Sequence, residues 1–322
     1  GFAVQLTRAD ARGQPVWPLH LRRLAALFAI GWAHVLLLSW VDVTWGYAVV
    51  GLAMLAFVRV GDRARLAWAI ALTVVPSVLY AVPSVTPALH GLLFDRPRMA
   101  YVDDFVAAAR GGDRVAIAWA HATLAALWTF GGGVVWYLPW LLGRFLVGMV
   151  AGARGWLTRD GEAARAGARR VIPIAAIGTA IGVALQSVEA LGVFSPRRYG
   201  IAVHAAAAVV EQLALAAQVV LYVAIVVWLM QRPAARRVLE LVAPVGRMPL
   251  STYLMQSLVC TSLFYGWGLA WDTPGPAACV GLALAIFAGQ IAFAHAWLRV
   301  LRFGPAEWLW RTAVYGRPPR MR

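Results

Sequence analysis

The sequence predicts an all-α protein, a polytopic bundle of transmembrane helices. Hydrophobic residues make up 61% of the 322 residues and charged residues only 13%, whereas a soluble domain is about 45–50% apolar and about 25% charged. Several stretches also reach the roughly 20 apolar residues that a helix needs to cross a bilayer. These observations exclude a disordered chain, a soluble nucleic-acid-binding protein and a secreted disulfide scaffold.

Length and hydropathy predict about eight spans in this chain. Seven segments qualify directly, in chain order 22–41, 44–60, 66–85, 171–191, 204–230, 249–270 and 277–298. The stretch 115–152 is too long for one ordinary span, and three consecutive glycines at 131–133 favour a helix break. We therefore place an eighth crossing near 134–152, with 103–130 as an interfacial or partly embedded helix before it.

Arginine placement orients the chain. All 29 basic residues are arginines, and the net charge is +15. With residues 1–23 inside and eight crossings, 23 arginines lie on the inner side and 6 on the outer side, as the positive-inside rule requires. We expect a multi-pass protein of the bacterial inner (plasma) membrane with both ends of this chain cytoplasmic. Its expected partners are membrane lipids and not nucleic acid.

Motifs of soluble enzymes and metal sites do not occur in the sequence. Cys260 and Cys279 lie in separate apolar runs, which indicates packing and not a disulfide, and no zinc-type spacing of cysteine and histidine is present. The P-loop, H-E-x-x-H and G-x-S-x-G patterns are also missing. We therefore expect no metal site, and the chemistry must reside in polar residues within apolar segments.

The span 204–230 carries a polar stripe. His204, Glu211 and Gln218 recur every seven residues, which places them on nearly one helix face among alanines. Small neighbours allow close helix approach, so one interpretation is an interhelical hydrogen-bond seam. The other is the wall of a polar cavity open to the outer side.

His34 and Asp42 form a candidate catalytic pair at the end of the first span. His34 lies 11 residues after Arg23, about 17 Å along the helix and past the midplane of a hydrocarbon core about 30 Å thick. Its imidazole is suited to act as a general base or acyl acceptor, or simply to bond a neighbouring helix. Asp42 either caps the next helix or orients the histidine.

The predicted topology places six polar groups in the outer half of the membrane. Gln186 and Glu189 are one helical turn apart near the outer end of their span. The six groups are His34, Asp42, Gln186, Glu189, His204 and Glu211. We predict that they share a water-accessible outer pocket, because isolated polar groups in lipid are costly.

A second polar cluster lies at the inner side, in the run GRMPLSTYLMQS (246–257). Thr252 and Gln256 are four residues apart, as are Tyr253 and Ser257, which gives an apolar helix one polar face. Pro249 suits the first turn of that helix.

The run FGPAEWLWR (303–311) predicts a short helix that lies on the membrane. Glu307 and Arg311 are four residues apart and could pair. One interpretation is a structural clamp anchored by interfacial tryptophans. The other is a site for an anionic head group or an acyl-carrier phosphate that uses Arg247 and Arg311.

At these residues the chain resembles the YeiB-type bacterial membrane proteins, domain-of-unknown-function family 418. His34, Asp42, Tyr47 and Gly51 match the family's first block within GWAHVLLLSWVDVTWGYAVVG (31–51). The second block usually reads G-R-M-A-L-T-N-Y-L-x-Q-S and differs here at 249, 251 and 252, while the third, G-P-x-E-W-L-W-R, is intact. The resemblance implies a single membrane domain over 1–322, with the C-terminal family region at roughly 130–322. It also implies that the family's N-terminal spans precede this chain.

The resemblance implies an architecture similar to that of transmembrane acyltransferases, which transfer an acyl group from cytoplasmic acyl-CoA to an acceptor across the membrane. We therefore expect an acyltransferase-like protein with acyl-CoA as the donor, in which His34 and Asp42 handle the acyl group or a proton. Two alternatives stay open. The stripe of His204, Glu211 and Gln218 would be a solute path in a transporter, and all these groups would be seams in a non-catalytic scaffold.

Overall fold

A computed structural model describes residues 17–82, 98–154, 162–272 and 274–322. These residues form helices and turns, with no strand among them, so the predicted all-α class is confirmed. Predicted features at 1–16, 83–97 and 155–161 lie outside the described residues. The twelve described α-helices are, in order, α1 Trp17–Leu37, α2 Thr44–Ala53, α3 Asp62–Ala81, α4 Arg98–Gly111, α5 Arg114–Trp128, α6 Tyr137–Ala153, α7 Glu162–Ala190, α8 Ile201–Leu229, α9 Pro233–Arg247, α10 Pro249–Phe264, α11 Pro276–Val300 and α12 Pro305–Tyr315.

Five helices among the described residues are long and apolar enough to cross a membrane. They are Asp62–Ala81, Arg114–Gly133, Ala166–Ala190, Ile201–Leu229 and Pro276–Val300. Large apolar side chains cover their outer faces; on α7, for example, Ile174 is 72% exposed and Ile177 is 64% exposed. Apolar faces of this size are stable in lipid and not in water. The chain is a membrane protein, and the total of eight crossings stays a prediction.

Residues 98–153 differ from the prediction, which was one interfacial helix over 103–130 followed by a crossing near 134–152. The helix expected over 103–130 is two helices, since the backbone turns at Gly112 with a φ of +75°. The second of these, α5, together with the turn that follows it, forms the apolar segment Arg114–Gly133, which is long enough to span. The break predicted at the glycine triplet is present as a π-helical turn over Thr129–Gly133, with a non-helical backbone at Gly132.

The described residues divide into two compact units. Unit 1 contains 53–82, 129–154 and 162–236, and unit 2 contains 17–52, 98–128, 237–272 and 274–322. The prediction of a single membrane domain over 1–322 stays a prediction.

In unit 1, helices α7 and α8 pack against each other through small residues. A Cβ atom at Gly178 would lie 2.9 Å from the Cβ of Ala217, and one at Gly182 would overlap Ala214. Such close contacts are the means by which membrane helices approach each other. Helix α3 packs on α6 and α8, and Trp140 on α6 donates from Nε1 to the carbonyl oxygen of Thr73 at 3.3 Å.

In unit 2, helix α1 packs on α5 and α12, and α10 contacts α11 and α12. A buried cluster of Val35, Trp45 and Ala125, with Trp32 against it, lies beside the C-terminal turn of α1. Gln290 of α11 donates to the carbonyl oxygen of Thr252 at 2.8 Å, which fixes α10 against α11. These contacts position the polar face of α10.

Candidate active site

The turn between α1 and α2 is built around Asp42. One carboxylate oxygen, Oδ1, accepts from the backbone N–H of Thr44 at 2.7 Å, from the Thr44 hydroxyl at 2.7 Å and from the N–H of Trp45 at 3.0 Å. Asp42 therefore caps α2 by satisfying N–H groups that have no partner within the helix. Gly31 makes this approach possible, because a Cβ there would lie 2.6 Å from the backbone nitrogen of Trp45.

The other oxygen of Asp42 contacts His34. His34 Nδ1 lies 3.0 Å from Asp42 Oδ2, and both side chains are completely buried, with 0% exposure. The phenol of Tyr253 donates to the same Oδ2 at 3.0 Å. The two interpretations of Asp42, helix cap and orienting group, thus describe different oxygens of one carboxylate.

The hydrogen bonds keep the Asp42 carboxyl ionised. Burial in the turn between the two helices acts to raise the pKa of Asp42, but the hydrogen bonds from His34, Thr44 and Trp45 outweigh burial, and the pKa is lowered. An ionised carboxylate only accepts, so Nδ1 of His34 carries its proton. In the neutral ring, Nε2 is then an acceptor.

A hydroxyl group completes the arrangement. Ser257 Oγ lies 2.8 Å from His34 Nε2, and its hydroxyl donates to that nitrogen. The Tyr253 ring packs on the imidazole, with centroids 4.8 Å apart and planes at 36°. Serine, histidine and aspartate therefore lie in one series of close polar contacts, the order of nucleophile, base and orienting group that many acyl-transfer enzymes use.

The start of α10 is held by α12. Glu307 accepts from the N–H groups of Leu250 at 2.6 Å and Ser251 at 3.1 Å, and from the Ser251 hydroxyl. Ser251 Oγ in turn accepts from the N–H of Ala306 at 2.9 Å. Glu307 thus caps α10, the helix that carries Tyr253 and Ser257, and among the described residues no ion pair joins it to Arg311.

The other predicted inner-face residues lie apart from this clamp. The guanidinium of Arg311 packs over the Phe303 ring at 4.5 Å, and its Nε is buried without a hydrogen-bond partner in the described structure. Arg247 is exposed at the end of α9, and Gln256 is exposed on α10. No described contact joins Arg247 to Arg311.

Unit 1 contains a separate polar cavity of about 340 Å³. It is lined by Tyr80, Glu189, Phe194, Ser195, His204, Ala207, Ala208 and Glu211. The side chains of Glu189 and Glu211 line the same cavity, and His204 Nδ1 donates to the carbonyl oxygen of Ala81 at 3.1 Å. Two members of the predicted stripe, His204 and Glu211, therefore line a cavity.

The remaining predicted polar residues of unit 1 do not line this cavity. Gln218 donates to the hydroxyl of Tyr222 at 2.8 Å on the exposed surface, and Gln186 is exposed one turn before Glu189. An unpredicted pair, Arg144 and Gln212, is joined by a hydrogen bond of 2.7 Å. Of the six groups assigned to one outer pocket, His34 and Asp42 belong to unit 2 and the other four to unit 1.

Ser257 and Tyr253 were predicted to belong to an inner cluster apart from His34. Their i,i+4 spacing was visible in the sequence. The contact of Ser257 with His34 was not, because the two residues are 223 positions apart in the chain. The rise of the helices carries the missing signal, because both depths are measured from the predicted inner boundary. Ser257 lies eight residues, about 12 Å, into α10, and His34 lies about 17 Å from Arg23, so the two fall at similar depths. No group of three or more metal-ligating side chains occurs within the described ranges.

The fold and the site define an all-α membrane protein with a buried His–Asp pair in contact with a half-buried serine. The chain belongs to the family described as "Protein of unknown function (DUF418)", whose model matches residues 151–317. It is 30% identical over 324 aligned positions to "Uncharacterized protein YxaH" of Bacillus subtilis, covering 98% of this chain and 76% of that protein.

Two further relatives match over shorter regions. "Uncharacterized protein YeiB" of Escherichia coli is 43% identical over 70 residues, 22% of this chain and 18% of that protein. "Uncharacterized 39.9 kDa protein in amylase 3'region" of Bacillus acidopullulyticus is 34% identical over 99 residues, 30% of this chain and 28% of that protein. No solved structure matches the chain.

Proposed function

We propose that this protein is an acyltransferase of the bacterial inner membrane that transfers an acyl group to an extracytoplasmic acceptor. The observation that carries the proposal is the burial of His34 between the Asp42 carboxylate and a hydroxyl group, at 3.0 Å and 2.8 Å. This arrangement supports proton transfer from a hydroxyl to Nε2, because Asp42 stabilises the imidazolium that forms. His34 and Asp42 are the proposed catalytic pair.

The surroundings of the pair favour acid–base chemistry over a passive hydrogen bond. Both side chains are excluded from water, so the attraction between the carboxylate and an imidazolium is stronger than it would be in solution. Tyr253 holds the carboxylate from a second side and packs on the ring. The ring therefore has one orientation in which Nε2 faces the hydroxyl.

The proposed donor is acyl-CoA from the cytoplasm. We propose that both ends of this chain also lie on the cytoplasmic side. Two arginines of unit 2, Arg23 and Arg311, each have a buried Nε without a described hydrogen-bond partner. Arg23 packs near the rings of Trp310 and Tyr315. Guanidinium groups with unused donors are suited to phosphate, which supports an anion site for the donor with Arg311 and Arg247.

The test compares histidines on one helix. His34→Gln and the matched control His20→Gln, also on α1, are introduced into the complete protein, and acyl modification of envelope glycans is measured by mass spectrometry. We expect loss of modification with His34→Gln only. Unchanged modification by His34→Gln would remove His34 from the mechanism.

A second candidate function, passage of a small cationic solute, is favoured by the cavity of unit 1. Its polar lining presents acceptors: two facing carboxyl groups, and His204 Nε2, since Nδ1 is the donor to Ala81. Tyr80 and Phe194 add aromatic faces, which attract cations. A volume of about 340 Å³ suits a small ligand.

Uptake into proteoliposomes tests this second candidate. Labelled ethanolamine, which has N–H donors, is compared with tetramethylammonium, which has none. We expect uptake of ethanolamine that Glu211→Gln abolishes and that the charge-matched control Glu240→Gln leaves unchanged. Absence of uptake by the wild-type protein would leave acyl transfer as the remaining proposal.

A further inference from the structure

Ser257 is the least buried of the three residues in contact in unit 2. The side chains of His34 and Asp42 are fully buried, whereas Ser257 is only half-buried. Its hydroxyl occupies the direction of His34 Nε2 at 2.8 Å. A substrate that approaches this site therefore meets Ser257 before it meets the imidazole.

We infer that Ser257 is the residue that carries the acyl group, so that transfer proceeds in two steps through a serine ester; this inference rests on the proposed acyl transfer. A histidine that acted directly on the acceptor would need Nε2 open to it. Here the serine oxygen already occupies Nε2 at 2.8 Å. A nucleophile with an adjacent base, itself oriented by a third group, is the arrangement that activates a serine.

The helix that bears Ser257 is fixed on three sides. Glu307 caps its start, Gln290 holds the carbonyl oxygen of Thr252, and Tyr253, one turn before Ser257, donates to Asp42. The Thr261 hydroxyl donates to the backbone carbonyl of Ser257 at 3.0 Å. The position of Oγ relative to Nε2 is thus set by the backbone, which is the preorganisation that a nucleophile needs.

In the first step, Ser257 Oγ attacks the acyl carbonyl of a thioester donor. The Oγ–C bond forms, the C–S bond breaks, and the serine proton passes to His34 Nε2 and then to the departing thiolate. In the second step, a hydroxyl group of the acceptor attacks the serine ester. The new ester bond forms, the Oγ–C bond breaks, and the acceptor's proton passes through Nε2 to Ser257 Oγ.

The test begins with a probe that needs no knowledge of the natural donor. Purified protein in nanodiscs is treated with a fluorophosphonate, and the modified peptide is identified by mass spectrometry. We expect label on Ser257, none in Ser257→Ala, and labelling at least about 100-fold slower in His34→Gln. Ser262→Ala, on the same helix, is the matched control and keeps the label. No label on folded wild-type protein would overturn the inference.

The second arm uses labelled acetyl-CoA and palmitoyl-CoA. We expect an alkali-labile adduct on Ser257 in the wild-type protein and, in Ser257→Cys, an adduct that neutral hydroxylamine removes. If His34→Gln abolishes transfer while Ser257→Ala transfers at the wild-type rate, the inference is overturned and the proposed function stands. If fluorophosphonate labels Ser257 but no acyl transfer to any acceptor occurs, the serine is a nucleophile and the proposed function fails.

Discussion

The polar sites of the two units differ in what their side chains face. In unit 2, His34 has a partner at each ring nitrogen, and Asp42 uses both oxygens. In unit 1, Glu189, Glu211 and His204 surround a cavity. Side chains that contact one another directly favour proton transfer within the protein, whereas acceptors around a cavity favour a ligand. Polar residues in apolar helices therefore serve different purposes in the two units.

The largest effect is expected when His34→Gln and His204→Gln are compared in two assays, one for each unit. His34→Gln should lower acyl transfer by about 100-fold or more, because the base is lost, while His204→Gln should leave transfer unchanged. For ethanolamine binding to the purified protein, measured by calorimetry, the order should reverse. Equal effects of both variants in either assay would remove the distinction between the units.

The next largest effect is expected at Gly31. Gly31→Ala places a Cβ 2.6 Å from the backbone nitrogen of Trp45 and 2.9 Å from Asp42 Oδ1, and overpacking of this kind costs about 1–3 kcal/mol. Thermal unfolding in detergent should show the loss, together with reduced acyl transfer. Gly148→Ala is the control, since it meets no atom within 4 Å and should be neutral or stabilising. A Gly31→Ala protein as stable as wild type would contradict the tight turn.

Removal of the α10 cap is expected to have a moderate effect. Glu307→Ala leaves the N–H groups of Leu250 and Ser251 without their acceptor, at a cost of about 1–2 kcal/mol. Hydrogen exchange should accelerate at these two amides and not in unit 1. Gln256→Ala, an exposed change on the same helix, serves as the control. Exchange that is unchanged at Leu250 would show that Glu307 is not the cap.

The smallest effect is expected in the pH dependence of stability. The folded-state pKa of Asp42 lies below its ordinary value, which is about 3.9. Its contribution to stability is therefore complete above about pH 4 and is lost as the pH falls through the folded pKa. Asp42→Asn should unfold with a shallower dependence on pH below about pH 4. Parallel curves for the two proteins would exclude Asp42 as the ionised partner of His34.

Much of the fold was predictable, because long apolar helices leave a clear pattern in a sequence. The helices over Asp62–Ala81, Ile201–Leu229 and Pro276–Val300 match predicted spans within a few residues. The break at Gly112 was not predicted, since a glycine between two apolar stretches does not reveal a φ of +75°. Its neighbour in space, Gly266, is distant in the chain: a Cβ at Gly112 would lie 2.7 Å from the Gly266 backbone.

The candidate site was predictable residue by residue but not as an assembly. His34 and Asp42 stood out as polar groups at the end of an apolar span, and Ser257 shared a helix face with Tyr253. Their association depends on how α10 packs, which is a tertiary contact that periodicity along one helix does not encode. The cavity residues of unit 1 were easier to predict, because His204 and Glu211 lie on one face of one helix.

The close packing of α7 on α8 sets the width of the cavity in unit 1. Glu189 is on α7, two turns beyond Gly182, and Glu211 is on α8 within one turn of Ala214. Since hydrogen atoms alone occupy the interface at Gly178 and Gly182, the axes come as near as backbones allow. A methyl group at either glycine would push helices α7 and α8 apart. The distance between the carboxyl groups of Glu189 and Glu211 is thus governed by the absence of side chains at these two glycines.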